Sequence, residues 1–130
     1  MKKLTAILLA LCLLALSGCG GYASKYYAFG LVKSNTAEAA SLHFKRMGGS
    51  MVFHLSCTDP AQQIRYTATL ESGSATVYYD CGEGKTELCA LDAGETLDTS
   101  GGTLAEGMVV LIVELSGSCQ NGDFQFTLGS

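Results

Sequence analysis

The sequence predicts an all-β protein: an antiparallel β-sandwich of about eight short strands, preceded by a segment that is removed. Three observations predict it. Segments rich in β-branched and aromatic residues recur at short spacing. Glycine is abundant, with 16 residues against a single proline, and the glycines fall between those segments. Within them apolar and polar residues alternate, the period of a half-buried strand. A chain of 130 residues makes one domain the expectation.

Taken in order, Tyr26 to Val32 forms a first strand. Residues 36–47 have two readings. Asn35 followed by Glu38 has the spacing of a helix start, so a short helix from Thr36 to Met47 ended by Gly48 competes with a strand from Ala40 to Met47. The strand is preferred because Gly48-Gly49, placed as a hairpin loop, sets Phe44 against Phe53 and Leu42 against Leu55 on one face. Ser72-Gly73 is expected to join Ile64–Glu71 to Ser74–Cys81. That register puts Ile64, Tyr66, Ala68 and Leu70 against Cys81, Tyr79, Val77 and Ala75, with Arg65 opposite Asp80 on the other face. Thr86 to Leu91 and Glu95 to Thr99 are two shorter strands. Met108 to Val113 is apolar on both faces and reads as a central strand. Asn121-Gly122 is expected to make the last hairpin, setting Cys119 against Phe124 and Leu115 against Leu128.

The amino-terminal segment has its own logic. Lys2 and Lys3 precede an apolar run from Leu4 to Leu16, too short for a spanning helix of about 20 residues but of the right length for a signal-peptide core. Leu16-Ser17-Gly18-Cys19 follows, and it resembles the lipobox of bacterial lipoproteins. The resemblance covers residues 1–19 and implies cleavage between Gly18 and Cys19, with a diacylglyceryl group on the Cys19 sulfur and an acyl chain such as palmitate on its new amino group. Two or three chains on one residue anchor far more firmly than one. The expected organisation is a signal peptide over 1–18, a lipidated tether over 19–25 and a β-sandwich over 26–130. The expected location is the cell membrane or outer membrane, facing the periplasm or cell exterior. The six-residue tether after Cys19 reaches about 20 Å at most, so the domain stays close to the lipid.

Without Lys2 and Lys3, six basic residues stand against twelve acidic ones, a formal charge of −6. That argues against nucleic acid, and against anionic headgroups, as partners. Once Cys12 is removed and Cys19 lipidated, Cys57, Cys81, Cys89 and Cys119 remain. In an exported small domain these read as two disulfides, each stabilising by about 2–4 kcal/mol. Three connectivities exist; an up-and-down arrangement favours 57–81 and 89–119. No CxxC pair points to zinc or redox chemistry.

The search for chemistry finds no enzyme signature and calls for no cofactor. Ser72-Gly73-Ser74 lacks the G-x-S-x-G context of a nucleophile and is explained by a turn. The acids show no pair suited to glycoside cleavage. Asp80 with Glu83, Asp92 with Glu95, and Asn121 with Asp123 lack the spacing of a calcium loop and read as turn residues. His43 and His54 face each other in the first hairpin register and are the one candidate metal pair, with a third ligand missing. Tyr22, Tyr26 and Tyr27 cluster near the anchor, and Tyr78 points away from the core face. Such tyrosines suit a protein or glycan ligand, or the lipid interface.

From Ile64 onward the rhythm of strands and glycine turns resembles small jelly-roll-like domains of uncharacterised bacterial lipoproteins, and the β-sandwiches appended to secreted hydrolases. That resemblance implies a binding or structural role with no diagnostic motif. The expected function is therefore a non-enzymatic, membrane-anchored envelope lipoprotein that binds an unknown protein or glycan. A metal-binding surface protein, or a carbohydrate-binding or lysozyme-inhibitor-type lipoprotein, are the alternatives.

Overall fold

The computed structural model describes residues 22–129. The predicted signal peptide, Gly18 and Cys19 lie outside them. The described residues form seven antiparallel strands and no helix: β1 (Lys25–Phe29), β2 (Val32–Asn35), β3 (Ala39–Cys57), β4 (Gln63–Asp80), β5 (Thr86–Asp92), β6 (Thr96–Gly101) and β7 (Gly107–Gly129).

Three of these strands are far longer than expected, and this overturns the three predicted hairpins. β3 runs straight through Gly48-Gly49 and pairs with β7 along its whole length, from Ala39 opposite Thr127 to Cys57 opposite Gly107. β4 runs through Ser72-Gly73 and pairs with the other side of β7, from Gln63 opposite Gly129 to Asp80 opposite Val110. β7 runs through Asn121-Gly122. Phe44 therefore stands opposite Gly122 rather than Phe53, and Leu115 stands opposite Gly49 and Ala75 rather than Leu128.

The glycines mark a crease. Between Leu115 and Cys119, three residues of β7 stand against the single Gly48 of β3, and a similar offset faces Gly73 on β4. Gly49 (φ 98°) and Gly73 (φ 94°) adopt backbone angles that a β-carbon would strain. At this level the inward-facing parity switches in each strand. Leu42 and Phe44 point inward on β3, then Met47, Met51, Phe53 and Leu55. Ile64, Tyr66, Ala68 and Leu70 do so on β4, then Ala75, Val77 and Tyr79. Strands that switch sheets at a bulge make the corners of sandwiches.

β2 and β6 flank the layer built from the 39–47, 119–129 and 63–71 stretches, β5 flanks 74–80 in the other layer, and β1 lies across the crease beside 46–50 of β3. The two halves of β4 converge at Gly102: a β-carbon there would lie 3.6 Å from both Ile64 Cδ1 and Tyr79 Cζ. Between the layers, Phe44, Phe53, Phe124, Phe126, Leu111 and their neighbours form one core. The rings of Phe44 and Phe124 stack with centroids 6.4 Å apart. Burial of each such side chain contributes about 1.5–3 kcal/mol.

Residues 36–47 contain no helix. Thr36 N–H donates to Ala39 O (2.7 Å), so the helix-like signal closes a tight turn before β3. The predicted first strand is two strands, interrupted at Gly30 (φ 66°). The short strands at 86–92 and 96–101 and the central position of Met108–Val113 agree with the sequence pattern.

Candidate functional site

The exposed aromatic surface gathers on β1. Tyr27 and Phe29, two residues apart on an edge strand, point to the same outer side and are 58% and 69% exposed. The hydroxyl end of the Tyr27 ring lies over Gly48, whose missing side chain leaves room for it. Phe29 pairs with Arg46, and Arg46 in turn with Gln120, so the three lie in one row across β1, β3 and β7. The aliphatic stem of Lys45 crosses the bare backbone of Gly30. Phe29, Lys45, Arg46 and Gln120 line an open cleft of about 420 Å³. The ammonium of Lys33 stands 5.5 Å from the ring centroid of Tyr26.

Tyr26 and Tyr27 stand out in the sequence as candidates, whereas Phe29, Lys45 and Arg46 do not. A signal was present: Tyr26-Tyr27-Ala28-Phe29 does not alternate apolar with polar, so a strand made of it must leave rings outside. The other two tyrosines lie apart from this edge. Tyr22 donates its hydroxyl to Asp80 Oδ2 (2.8 Å), and Tyr78 lies under the Lys85 ammonium (4.1 Å), which also pairs with Glu114 (2.9 Å). A second, smaller hollow of about 110 Å³ is wholly different in character, lined by Arg65, Tyr66, Thr67, Asp98, Gln125 and Thr127.

The predicted histidine pair is not assembled. His43 stands opposite Val32 and Asp123, and His54 opposite Val110, on different layers. Their expected juxtaposition depended on the hairpin that the crease replaces. Among the described residues no group of three or more His, Cys, Asp or Glu side chains is placed to hold a metal ion.

The two expected disulfides are also not formed: Cys57, Cys81, Cys89 and Cys119 are free thiols. Cys119 sits at the crease, hydrogen-bonded to Ser74 O (3.4 Å) and Ser116 O (3.7 Å), while Cys89 lies opposite Val77 on β5. Cys57 donates to Asp59 O (3.2 Å). Burial pushes the Cys89 thiol up to about 11 and raises Cys81 and Cys119 as well.

The carboxylates considered for calcium serve turns. Asp80 Oδ1 accepts the N–H groups of Gly82 (2.7 Å) and Gly84 (3.2 Å), and Glu95 Oε1 accepts that of Asp92 (2.7 Å). Asn121 engages Glu71. Ser72 and Ser74 lie within β4 at the crease, not in a turn.

No protein-family model and no curated protein matches the sequence. Solved structures show distant likenesses. A carbohydrate binding module of family 29 is 14% identical, over 81% of this chain and 75% of its own, with a TM-score of 0.43. The C-terminal CBM6 of a laminarinase from Zobellia galactanivorans is 15% identical, over 78% and 90%, with a TM-score of 0.40. A CBM4 structure is 11% identical, over 85% and 81%, with a TM-score of 0.43.

Proposed function

We propose that this chain is a lipid-anchored, non-enzymatic protein of a bacterial envelope whose β-sandwich binds a glycan along the β1 edge. The anchor is supported by Leu16-Ser17-Gly18-Cys19 behind a basic head and an apolar core. The binding reading rests on one observation: Tyr27 and Phe29 present exposed rings side by side on an edge strand, above a cleft that also holds an amide. Aromatic surface left in water is unfavourable unless a ligand covers it. The C–H face of a pyranose ring fits such a platform. The Gln120 amide supplies both a donor and an acceptor for sugar hydroxyls.

Two measurements test the reading. The protein applied to a glycan array is expected to retain one class of glycan, and Tyr27→Ala with Phe29→Ala is expected to weaken that binding at least tenfold without changing Tm. Retention of no glycan, or unchanged affinity in the double variant, overturns the glycan reading. For the anchor, Cys19→Ala should release soluble protein or leave uncleaved precursor. A C19A protein that is still lipidated and membrane-held overturns that half.

A further inference from the structure

We infer that the β1 cleft takes an acidic glycan, one bearing carboxylate or phosphate groups. This rests on the glycan reading above and narrows it to a chemical class.

The observation is a segregation of charge that the net value hides. The chain from Cys19 onward is formally −6, with six basic residues against twelve acidic. Four of those six, Lys25, Lys33, Lys45 and Arg46, stand on β1, β2 and the adjoining stretch of β3. Those three strands contain no Asp or Glu at all. The carboxylates nearest this zone are Glu38 in the turn between β2 and β3, Asp123 opposite His43, Glu71, which Asn121 engages, and Glu114, opposite Ser50 in the same row as Lys25; none lies in the row of Phe29, Arg46 and Gln120. Among the described residues the one ion pair is Lys85 with Glu114, so none of the four cations is held in a salt bridge. In a chain that is acidic overall, an edge of unpaired cations attracts an acidic ligand.

The cations are also placed to act with the rings. Arg46 is directly opposite Phe29, and Lys45 lines the same cleft with its stem laid over Gly30. An arginine fork binds a carboxylate or phosphate through two parallel hydrogen bonds. A ring stacked on Phe29 therefore carries its acidic substituent toward Arg46, and its hydroxyls toward Gln120. A flat lipid surface is the weaker fit, because Lys45 and Arg46, the two cations beside Phe29, line a recess.

The test uses matched polymers differing only in charge, and the full-length protein in non-ionic detergent. Polygalacturonate is compared with its carboxyl-reduced form, and dextran phosphate with dextran, by calorimetry or affinity electrophoresis. Binding to a charged member, with at least tenfold weaker binding to its neutral partner, supports the inference; the two pairs separate carboxylate from phosphate. Lys45→Gln with Arg46→Gln should weaken that binding about tenfold or more and flatten its salt dependence, with the circular dichroism spectrum unchanged. Equal binding of charged and neutral members overturns the acidic class but leaves the glycan reading standing. Binding of no polymer here while neutral glycans are retained on the array does the same. Binding of anionic phospholipid vesicles but of no glycan overturns both.

Discussion

The ring of Phe44 on β3 lies against the bare backbone of Gly122 on β7, so close that a β-carbon on the glycine would lie only 2.7 Å from Phe44 Cε2. Phe44 is fully buried, and its other neighbour is Phe124. Gly122→Ala is therefore an overpacking change and should destabilise the fold by about 1–3 kcal/mol. Urea denaturation measures it. Combined with Phe44→Leu, part of the loss should be recovered, giving a coupling in a double-mutant cycle. An additive pair would show that the ring and the glycine do not restrict one another.

Asn35 closes the free edge of β3. Its amide accepts from His54 N–H (2.9 Å) and donates to His54 O (2.8 Å), in place of a neighbouring strand. Ser24 Oγ and Ala37 O accept the N–H groups of Val52 and Ser56 on either side. Asn35→Ala should cost about 1–2 kcal/mol and leave edge groups open to another chain. Size-exclusion chromatography at rising concentration should show association that the parent protein lacks.

The thiols offer a direct test of their state. Cys81, Cys89 and Cys119 are shielded by burial, with Cys89 pushed highest, to about 11. Iodoacetamide labelling near pH 8, mapped by mass spectrometry, should modify the buried Cys57 and Cys119 last in the native protein. In denaturant, all four should label without a reductant. A need for reductant would establish bridges and contradict the free thiols seen here.

Asp80 predicts an acid limb. The Gly82 N–H, then the Tyr22 hydroxyl, hold its carboxyl below the ordinary carboxylate value of 3.8, against a smaller opposing effect of burial. A depressed folded value means the stabilisation is present above pH 3.8 and is lost as pH falls through the lower folded value. Asp80→Asn should therefore lower Tm at neutral pH, and the gap to the parent should close in strong acid. A gap that is constant with pH would remove Asp80 from the titration.

Much of this architecture was legible in the residues, and the failure at the glycines is instructive. The alternation places Phe44, Phe53, Ile64, Tyr66, Ala68, Leu70, Ala75, Val77 and Tyr79 inward, and all are buried. The error lay in chain direction. A two-residue hairpin and a creased strand both reverse which parity faces the core, so alternation alone does not separate them. Gly48 and Gly122 looked like turn residues, yet each provides a flat floor for a ring, Tyr27 and Phe44 respectively. The Asn121 signal was partly right: its φ of 47° is a turn-like angle, used to kink β7 rather than reverse it. The cleft was less legible still. It depends on β1 lying beside 46–50 of β3, a pairing that no local pattern encodes.

The shared strands also govern how this molecule tolerates changes in length. Elsewhere, an added residue in a loop between two sheets leaves both intact. Here β3, β4 and β7 pass unbroken from one layer into the other, and side chains alternate strictly on either side of the crease. One residue inserted beside Gly117 would turn the whole far arm of β7 inside out, presenting Phe124 and Phe126 to water and Asp123 and Gln125 to the core. Related chains should accordingly vary in length at the 58–62, 81–85 and 102–106 connections, and keep the spacing across the middle of their longest strands fixed.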